Sequence, residues 1–239
     1  MVKLRLGTRG SALALARSEM VAEQLRAAGH EVEVVRVATA RIDSSHMPDG
    51  YSLGVFAKEL RAALRDGECD LVMHSCKDVP LTDEPDDLRV AAVLKRGDHR
   101  DALVTLSGVP LAALPRASRL GVTSLRRMAQ LRALRPDLTF VDVGGTLEER
   151  LRRLEPGDLD AVVLSASGLK ALGQEDRITE YLPILPAPGQ GALVLECRTA
   201  DEDVFAAALE LDHEETRICV EAERAVLSGL STTYMAPVG

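Results

Sequence analysis

Short apolar runs rich in β-branched residues alternate with longer amphipathic stretches along the whole chain. Strands are predicted at Lys3 to Leu6, Glu31 to Val37 and Leu71 to His74, and apolar residues recur at helical spacing from Ser11 to Gly29 and from Ala57 to Arg65. Strands separated by helical stretches are typical of α/β proteins, in which helices cover the faces of a sheet. The alternation therefore predicts an α/β fold.

The charged run KRGDHRD at residues 95–101 interrupts this alternation, after a strand predicted at Val90 to Leu94. A second series of similar build follows, with helices after Ser124 and near Leu147 and strands at residues 102–105, 120–122, 139–143 and 161–164. The proline-rich segment 182–191 predicts a connection, because proline continues neither a helix nor a central strand; a strand at 192–196 and a helix from about Glu214 to Leu230 follow it.

This organisation predicts two lobes of similar build with a cleft between them. We expect lobe 1 to hold residues 1–97 together with 192–213, and lobe 2 to hold residues 98–191. Residues 214–239 are expected to form a C-terminal helix and at most the rudiment of a third domain. A cleft between two α/β lobes places ligands near helix N-termini, where backbone N–H groups and the helix dipole favour anions.

Composition narrows the classes of partner. With 29 Lys and Arg against 37 Asp and Glu, the formal net charge is -8, which argues against non-specific binding to nucleic acid or to anionic membranes. The N-terminus lacks the apolar core of a signal peptide, and no apolar run approaches the roughly 20 residues of a membrane span. We expect a cytoplasmic protein whose partner is a small molecule; the sequence does not predict its oligomeric state.

The four cysteines are predicted to be reduced and mostly buried. Cys69, Cys76, Cys197 and Cys219 are scattered without CxxC spacing, so the sequence predicts neither a metal site nor a disulfide framework.

Two segments combine a strand end, a hydroxyl residue that can cap a helix, and arginine. In the first, Arg9 precedes Ser11; in the second, Thr123 and Ser124 precede Arg126 and Arg127. Two cations in the first turn of a helix oppose its dipole, which favours an anionic ligand nearby. The alternatives are a surface role for Arg9 and a structural ion pair with Asp or Glu for Arg126 and Arg127.

The segment HSCKDVP follows a buried strand directly. Asp78 at such a strand end, facing an anion-binding cleft, is suited to stabilising a cation or moving a proton. His74 is expected to be a satisfied core residue rather than a catalyst. Cys76 beside Lys77 would be an activated thiol only with a partner base, and the sequence shows none.

In order and spacing, this chain resembles the porphobilinogen deaminase (hydroxymethylbilane synthase) family from about Leu4 to Gly239. The segments that carry the resemblance are LGTRGSALALA, GVFAKEL, HSCKDVP, HRDALV, GVTSLRRMAQL, RPDL, ASGLKALG, LPAPGQGALVLECR and ERAVLSGL. The family implies two lobes like those of periplasmic binding proteins, plus a small third domain with a cysteine bonded to a dipyrromethane primer. It also implies the joining of four porphobilinogen units with loss of ammonia.

The resemblance assigns roles residue by residue. Asp78 corresponds to the catalytic aspartate, next to which an azafulvene-like cation would form. The positions implied to hold pyrrole carboxylates or to border the cleft are Arg9, Ser11, Lys77, Thr123, Ser124, Arg126, Arg127, Arg150 and Gln190.

The chain also departs from the family pattern. Tyr234 stands at the position of the primer-bearing cysteine, and a phenol with an ordinary pKa near 10 does not readily replace a thiolate, so no covalently bound cofactor is expected. Gly144 and Ala171 stand where arginines are expected. Further changes are Leu53 for lysine, Thr39-Ala40 for Gly-Asp, Val122 for a hydroxyl residue and Arg17 for glutamine.

Three functional hypotheses follow. The first is a divergent paralogue that eliminates ammonia from porphobilinogen or a related aminomethylpyrrole and passes the methylene-pyrrole to a free acceptor: water, a second pyrrole or a specialised metabolite. The second is ordinary hydroxymethylbilane synthase activity. The third is a non-catalytic protein that binds a pyrrole or another small carboxylate.

Overall fold

The computed structural model describes residues 1–38, 55–80, 85–154, 157–230 and 238–239, with backbone alone for Val55 and Phe56. The predicted departures at Thr39, Ala40, Leu53 and Tyr234 lie outside these residues.

The first sheet has five strands in the order β2-β1-β3-β10-β4. The strands are β1 (Lys3–Thr8), β2 (Glu31–Arg36), β3 (Leu71–Ser75), β4 (Leu88–Val93) and β10 (Leu193–Arg198). Strand β1 is parallel to β2 and β3, whereas β10 is antiparallel to β3 and β4. The helices α1 (Ala12–Ala27), α2 (Val55–Arg65) and α6 (Glu202–Leu209) pack against this sheet.

The second sheet also has five strands, in the order β7-β6-β8-β5-β9. They are β5 (Asp101–Thr105), β6 (Arg119–Gly121), β7 (Thr139–Val141), β8 (Ala161–Ser165) and β9 (Glu180–Tyr181). Its helices are α3 (Leu125–Leu134), α4 (Leu147–Arg152) and α5 (Ala166–Ala171), and α7 (Glu214–Gly229) follows α6 later in the chain. Two sheets with helices between their strands confirm the predicted α/β fold of two similar lobes.

Most predicted elements are present with ends shifted by one or two residues. The antiparallel placement of β10 and the short helices α5 and α6 were not predicted, because local patterns carry no information on strand direction and short helices show too few turns to reveal a period. The segment from Pro183 to Gly191 is irregular, as its prolines predict.

The core is aliphatic. Leu6, Val21, Leu25, Leu71 and Leu195 belong to the cluster of the first sheet. Two further clusters, one on each side of the second sheet, contain mainly Leu, Val and Ala. A chain without tryptophan and with three phenylalanines fills its interior with aliphatic residues instead.

The chain crosses between the sheets twice, at residues 94–100 and at 182–192, and the two crossings touch. The N–H of Gly97 donates to the carbonyl of Gly191, 3.0 Å away. Gly191 has a φ of 88°, and a β-carbon there would lie 2.8 Å from the carbonyl oxygen of Gly97. Glycine is therefore required at this crossing. Among the described residues, no helix combines the length and apolarity needed to traverse a bilayer.

Candidate active site

A cleft of about 600 Å³ lies between the two sheets, at the ends of strands β1, β3 and β8. Its polar lining on the first sheet comprises Thr8, Arg9, Ser11, Arg17, His74, Ser75, Lys77 and Asp78. Its polar lining on the second side comprises Arg127, Thr146, Glu148, Glu149, Arg150, Ser165 and Ser167. Strand ends and helix starts thus supply the lining, as the sequence predicts.

The turn from β1 into α1 places Arg9 and Ser11 at the cleft. Ser11 is the N-cap of α1, and its Oγ accepts a hydrogen bond of 3.2 Å from the N–H of Ala14. Gly7 lets β1 approach β3 closely, since a β-carbon there would lie 2.7 Å from the sulfur of Cys69. Burial lowers the pKa of Arg9, and the negative charge of Asp78 counteracts that shift.

Asp78 lies in a single 3₁₀ turn, Cys76–Asp78, directly after β3. Within the described part of the chain its carboxylate has no hydrogen bond or ion pair, yet three cations feel its charge: Arg9, Arg17 and Lys77. A carboxylate that lies near cations but is not paired with any of them can interact with a ligand. The catalytic role of Asp78 stays a prediction.

Lys77 is the cleft cation whose charge responds most to pH. Burial lowers the pKa of its ammonium to about 8, although Asp78 favours the charged form. Its Nζ donates to Oε1 of Gln190 across 3.3 Å. The side chain is therefore fixed at the cleft by a neutral partner.

Arg126 and Arg127 make the structural ion pair that was the alternative interpretation. Both guanidiniums contact Asp101, which is completely buried, at 2.7 and 2.6 Å. Burial alone would raise the pKa of Asp101, but the two arginines hold it below its ordinary value. Arg127 lines the cleft and Arg126 does not, since its guanidinium also donates to the carbonyl of Leu185.

Gln190 lies beneath the cleft rather than in its lining. It is 1% exposed, and its amide nitrogen donates to the carbonyl of His99 at 2.7 Å and to Asp101 at 2.9 Å. Because its amide oxygen accepts from Lys77, Gln190 links the Asp101 cluster to the cleft lysine.

Of the three remaining predicted residues of the second lobe, one lines the cleft and two do not. Thr123 donates to the carbonyl of Val143 at 2.5 Å, and Ser124 is the N-cap of α3; neither lines the cleft. Arg150 does line it, and its Nε donates to the carbonyl of Gly145 at 3.1 Å. Helix α4 begins there with a capping box formed by Thr146 and Glu149.

His74 is buried beside an acidic residue of β10, as expected of a core residue, but it also lines the cleft, and its Nε2 makes no hydrogen bond of standard geometry among the described residues. Its Nε2 lies 3.3 Å from a carboxylate oxygen of Glu196. The same carboxylate accepts hydrogen bonds of 2.8 to 3.0 Å from Nε and Nη2 of Arg61. Burial would raise the pKa of Glu196, but His74 and Arg61 lower it to about 2. Met73 and Leu60 contribute apolar side chains to the same lining as His74.

Sequence reasoning missed several residues that line the cleft. Arg17 was noted only as a departure, yet it donates to Ser75 at 2.8 Å and to Ser167 at 3.2 Å. Glu148 and Thr146 also line the cleft. The position of Arg17, two turns into α1 and on the side of Leu13, was the available signal, because a side chain on that side lies over the strand ends.

None of the four cysteines lines the cleft. Cys69, Cys76 and Cys197 are buried and free, and Cys219 is exposed on α7. Burial raises the pKa of the Cys76 thiol to about 11, so it is not an activated thiol. No group of His, Cys, Asp and Glu among the described residues is arranged to hold a metal ion.

Comparison with known proteins places this site in context. The family model described as "Porphobilinogen deaminase, dipyromethane cofactor binding domain" matches residues 4–206. Three similar curated relatives are all described as porphobilinogen deaminase. That of Cutibacterium acnes is 45% identical and aligns over 100% of this chain and 76% of its own length. That of Mycobacteroides abscessus is also 45% identical, over 99% and 78%. That of Leifsonia xyli is 47% identical, over 99% and 74%.

Solved structures with low sequence identity share the fold. The methionine-binding protein MetQ aligns with a TM-score of 0.56 at 13% identity, over 93% of this chain and 95% of that chain. A putative methionine-binding lipoprotein of Bacillus subtilis aligns with a TM-score of 0.51 at 16% identity, over 90% and 92%. The two sheets with a cleft between them are thus an arrangement shared with binding proteins of that type.

Proposed function

Because this chain belongs to the porphobilinogen deaminase family, whose members are transferases of tetrapyrrole biosynthesis, we propose that it eliminates ammonia from porphobilinogen or a related aminomethylpyrrole and transfers the methylene-pyrrole to a free acceptor. The observation that carries the proposal is the position of Asp78, a carboxylate in the cleft with no ion pair of its own among the described residues and three cations around it. Such a site suits a ligand that is acidic at its edge and cationic at its reacting centre.

The chemistry follows from the charges. The C–N bond of the protonated aminomethyl group breaks, ammonia leaves with the electron pair, and positive charge develops on the pyrrole and its exocyclic carbon. The Asp78 carboxylate stabilises that charge, whereas Arg9, Lys77 and Arg127 hold the acidic side chains. The acceptor then forms a bond to the exocyclic carbon and loses a proton.

The family's dipyrromethane group fits this chain only in part. The cations of the cleft match the carboxylates of a pyrrole ligand, and Arg9, Lys77, Arg127 and Arg150 would hold them. A thioether needs a thiolate, and none of the four cysteines lies in the lining of the cleft. We therefore infer a divergent paralogue in which transfer proceeds without a covalently attached primer.

The proposal divides the chain into two lobes and a C-terminal part. Lobe 1 holds residues 1–97 with 192–213, lobe 2 holds residues 98–191, and the C-terminal part holds residues 214–239.

Within the cleft, contact with the substrate is proposed for Arg9, Ser11, Lys77, Arg127 and Arg150. Thr123, Ser124, Arg126 and Gln190 are proposed to act from behind the cleft, since their hydrogen bonds stay within the protein. The free cysteines suit a proposed cytoplasmic setting.

Incubation of the purified protein with porphobilinogen, with ammonia release and product identity as readouts, tests the proposal. We expect ammonia and a hydrolysed or dimeric pyrrole, and an intact mass equal to that of the polypeptide. A linear tetrapyrrole together with an added mass of two linked pyrroles would show ordinary primed synthesis instead. Binding of porphobilinogen without release of ammonia, whichever acceptor is added, would show a binding protein.

The Asp78→Asn variant tests the catalytic assignment. Removing the carboxylate charge is expected to slow ammonia release at least about 100-fold while porphobilinogen still binds, because the charge acts on the transition state. The exposed Asp66, changed to Asn, is the matched control and should behave as wild type. Equal turnover in the Asp78 and Asp66 variants would remove Asp78 from the mechanism.

A further inference from the structure

Arg17 is the cleft cation that the chemistry above leaves without a role. It lies in the second turn of α1, and its side chain lines the cleft. Nη1 donates to Ser75, the last residue of β3, and Nη2 donates to Ser167 on α5. One guanidinium is thus fixed by a hydroxyl from each side of the cleft.

The charge of Arg17 is not neutralised by an ion pair in the described part of the chain. Its two hydrogen-bond partners are neutral, whereas Arg126 and Arg127 share the carboxylate of Asp101. Burial lowers the pKa of Arg17, and Asp78 is the acid that counteracts this shift. A half-buried guanidinium without a paired anion has lost part of its hydration without gaining a counter-charge, which a ligand carboxylate would supply.

The geometry leaves donors for such a ligand. A guanidinium has five N–H groups, and the two serines occupy two of them. Arg17 and Lys77 both interact with the single charge of Asp78, and their hydrogen-bond partners among the described residues are neutral, so these three groups together carry an excess of positive charge. An anionic group entering beside Arg17 would balance it.

We propose that Arg17 is a carboxylate-binding residue of the cleft, which takes one acidic side chain of the pyrrole ligand while Ser75 and Ser167 hold its guanidinium between the two sheets. This proposal deepens the proposed function by naming a residue that selects for an acidic pyrrole. Because Ser75 and Ser167 belong to opposite sides of the cleft, the two hydrogen bonds fix the position of the guanidinium relative to both sides.

A double-mutant cycle between protein and ligand tests the proposal by calorimetry. The ligands are porphobilinogen and two analogues, each lacking either the acetate or the propionate. The Arg17→Gln variant is expected to bind porphobilinogen about 10- to 100-fold more weakly, the range for a charge-assisted hydrogen bond. It should bind one of the two analogues as well as the wild type does, and the other with the full loss. Arg17→Lys, which keeps the charge without the fork, should lose less than Arg17→Gln.

Arg26→Gln is the matched control, since Arg26 lies on the same helix but pairs with Glu19 on the exposed side. A loss of affinity in Arg17→Gln that is equal for all three ligands would mean that Arg17 only ties α1 to β3 and α5, and would overturn the proposal. Unchanged affinity for porphobilinogen would overturn it too. Failure of the wild type to bind porphobilinogen would overturn the proposed function itself, whereas binding without ammonia release would leave the role of Arg17 standing.

Discussion

At the scale of single residues, arginines that look alike in sequence have different electrostatic roles. Arg126 and Arg127 share one buried carboxylate, which partly neutralises both charges, and of the two only Arg127 also lines the cleft. Arg17 has only serine partners among the described residues and lies at the cleft. The partner, not the residue type, decides which cation is available to a ligand.

The pKa of Lys77 predicts how ligand affinity depends on pH. Since burial lowers this pKa from 10.5 to about 8, the ammonium loses its proton as the pH rises through about 8, and affinity for an acidic pyrrole should fall there. Calorimetric titration of porphobilinogen between pH 6.5 and 9.5 measures this. Lys77→Arg should move the fall beyond the upper limit, because arginine keeps its charge. An identical pH profile in both proteins would contradict this assignment.

At the scale of elements, both lobes place the start of a helix by the same means. Strands β1 and β6 each contain a glycine near the end, Gly7 and Gly121, whose missing β-carbon allows close packing. A serine then caps the next helix, Ser11 for α1 and Ser124 for α3. Only the first of these turns contributes its cap to the lining of the cleft.

The Gly7→Ala substitution tests this packing. A β-carbon there would lie 2.7 Å from Cys69 and 3.0 Å from Val72, so the free energy of unfolding should fall by about 1 to 3 kcal/mol. Gly229→Ala is the control, since nothing lies within 4 Å of its β-carbon, and in a helix it should be neutral or slightly stabilising. Urea denaturation of both variants measures the difference; equal stabilities would show that β1 tolerates a side chain.

At the scale of the whole molecule, the two crossings determine how the sheets meet. There the N–H of Gly97 donates a hydrogen bond to the carbonyl of Gly191, and Nε of Arg96 donates one of 2.9 Å to the carbonyl of Gln190. Arg96 also pairs with Glu223 of α7, so the last helix is tied to the crossing as well. The two crossings and α7 are thus joined by hydrogen bonds of both backbone and side chains. The net charge of -8 describes the molecule as a whole, whereas the cleft gathers cations.

Gly191→Ala tests the crossing. The new β-carbon would meet three backbone atoms within 3.2 Å at a φ of 88°, and we expect a loss of at least about 2 kcal/mol in the free energy of unfolding. Gly173→Ala separates the two causes, because its φ is also positive, at 64°, but its β-carbon would have open space. Thermal unfolding should show a clearly larger decrease for Gly191→Ala; a smaller or equal one would mean that the crossing can shift.

The sequence by itself determined the features that depend on neighbours along the chain. Alternating strands and helices, the caps at Ser11 and Ser124, and the strand end that carries Asp78 follow from local propensity and hydrogen bonding within a few residues. The motifs also predicted the family and, through it, six residues that line the cleft: Arg9, Ser11, Lys77, Asp78, Arg127 and Arg150.

Only the tertiary structure decided which charges meet. Asp101 lies 25 residues from Arg126, Gln190 lies 89 residues from Asp101, and Ser167 lies 150 residues from Arg17. The antiparallel entry of β10, which brings Glu196 beside His74 and Arg61, is decided in the same way. Ion pairs and hydrogen bonds depend on distances of a few ångströms in space, and separations of this length along the chain leave those distances open until the sheets have formed.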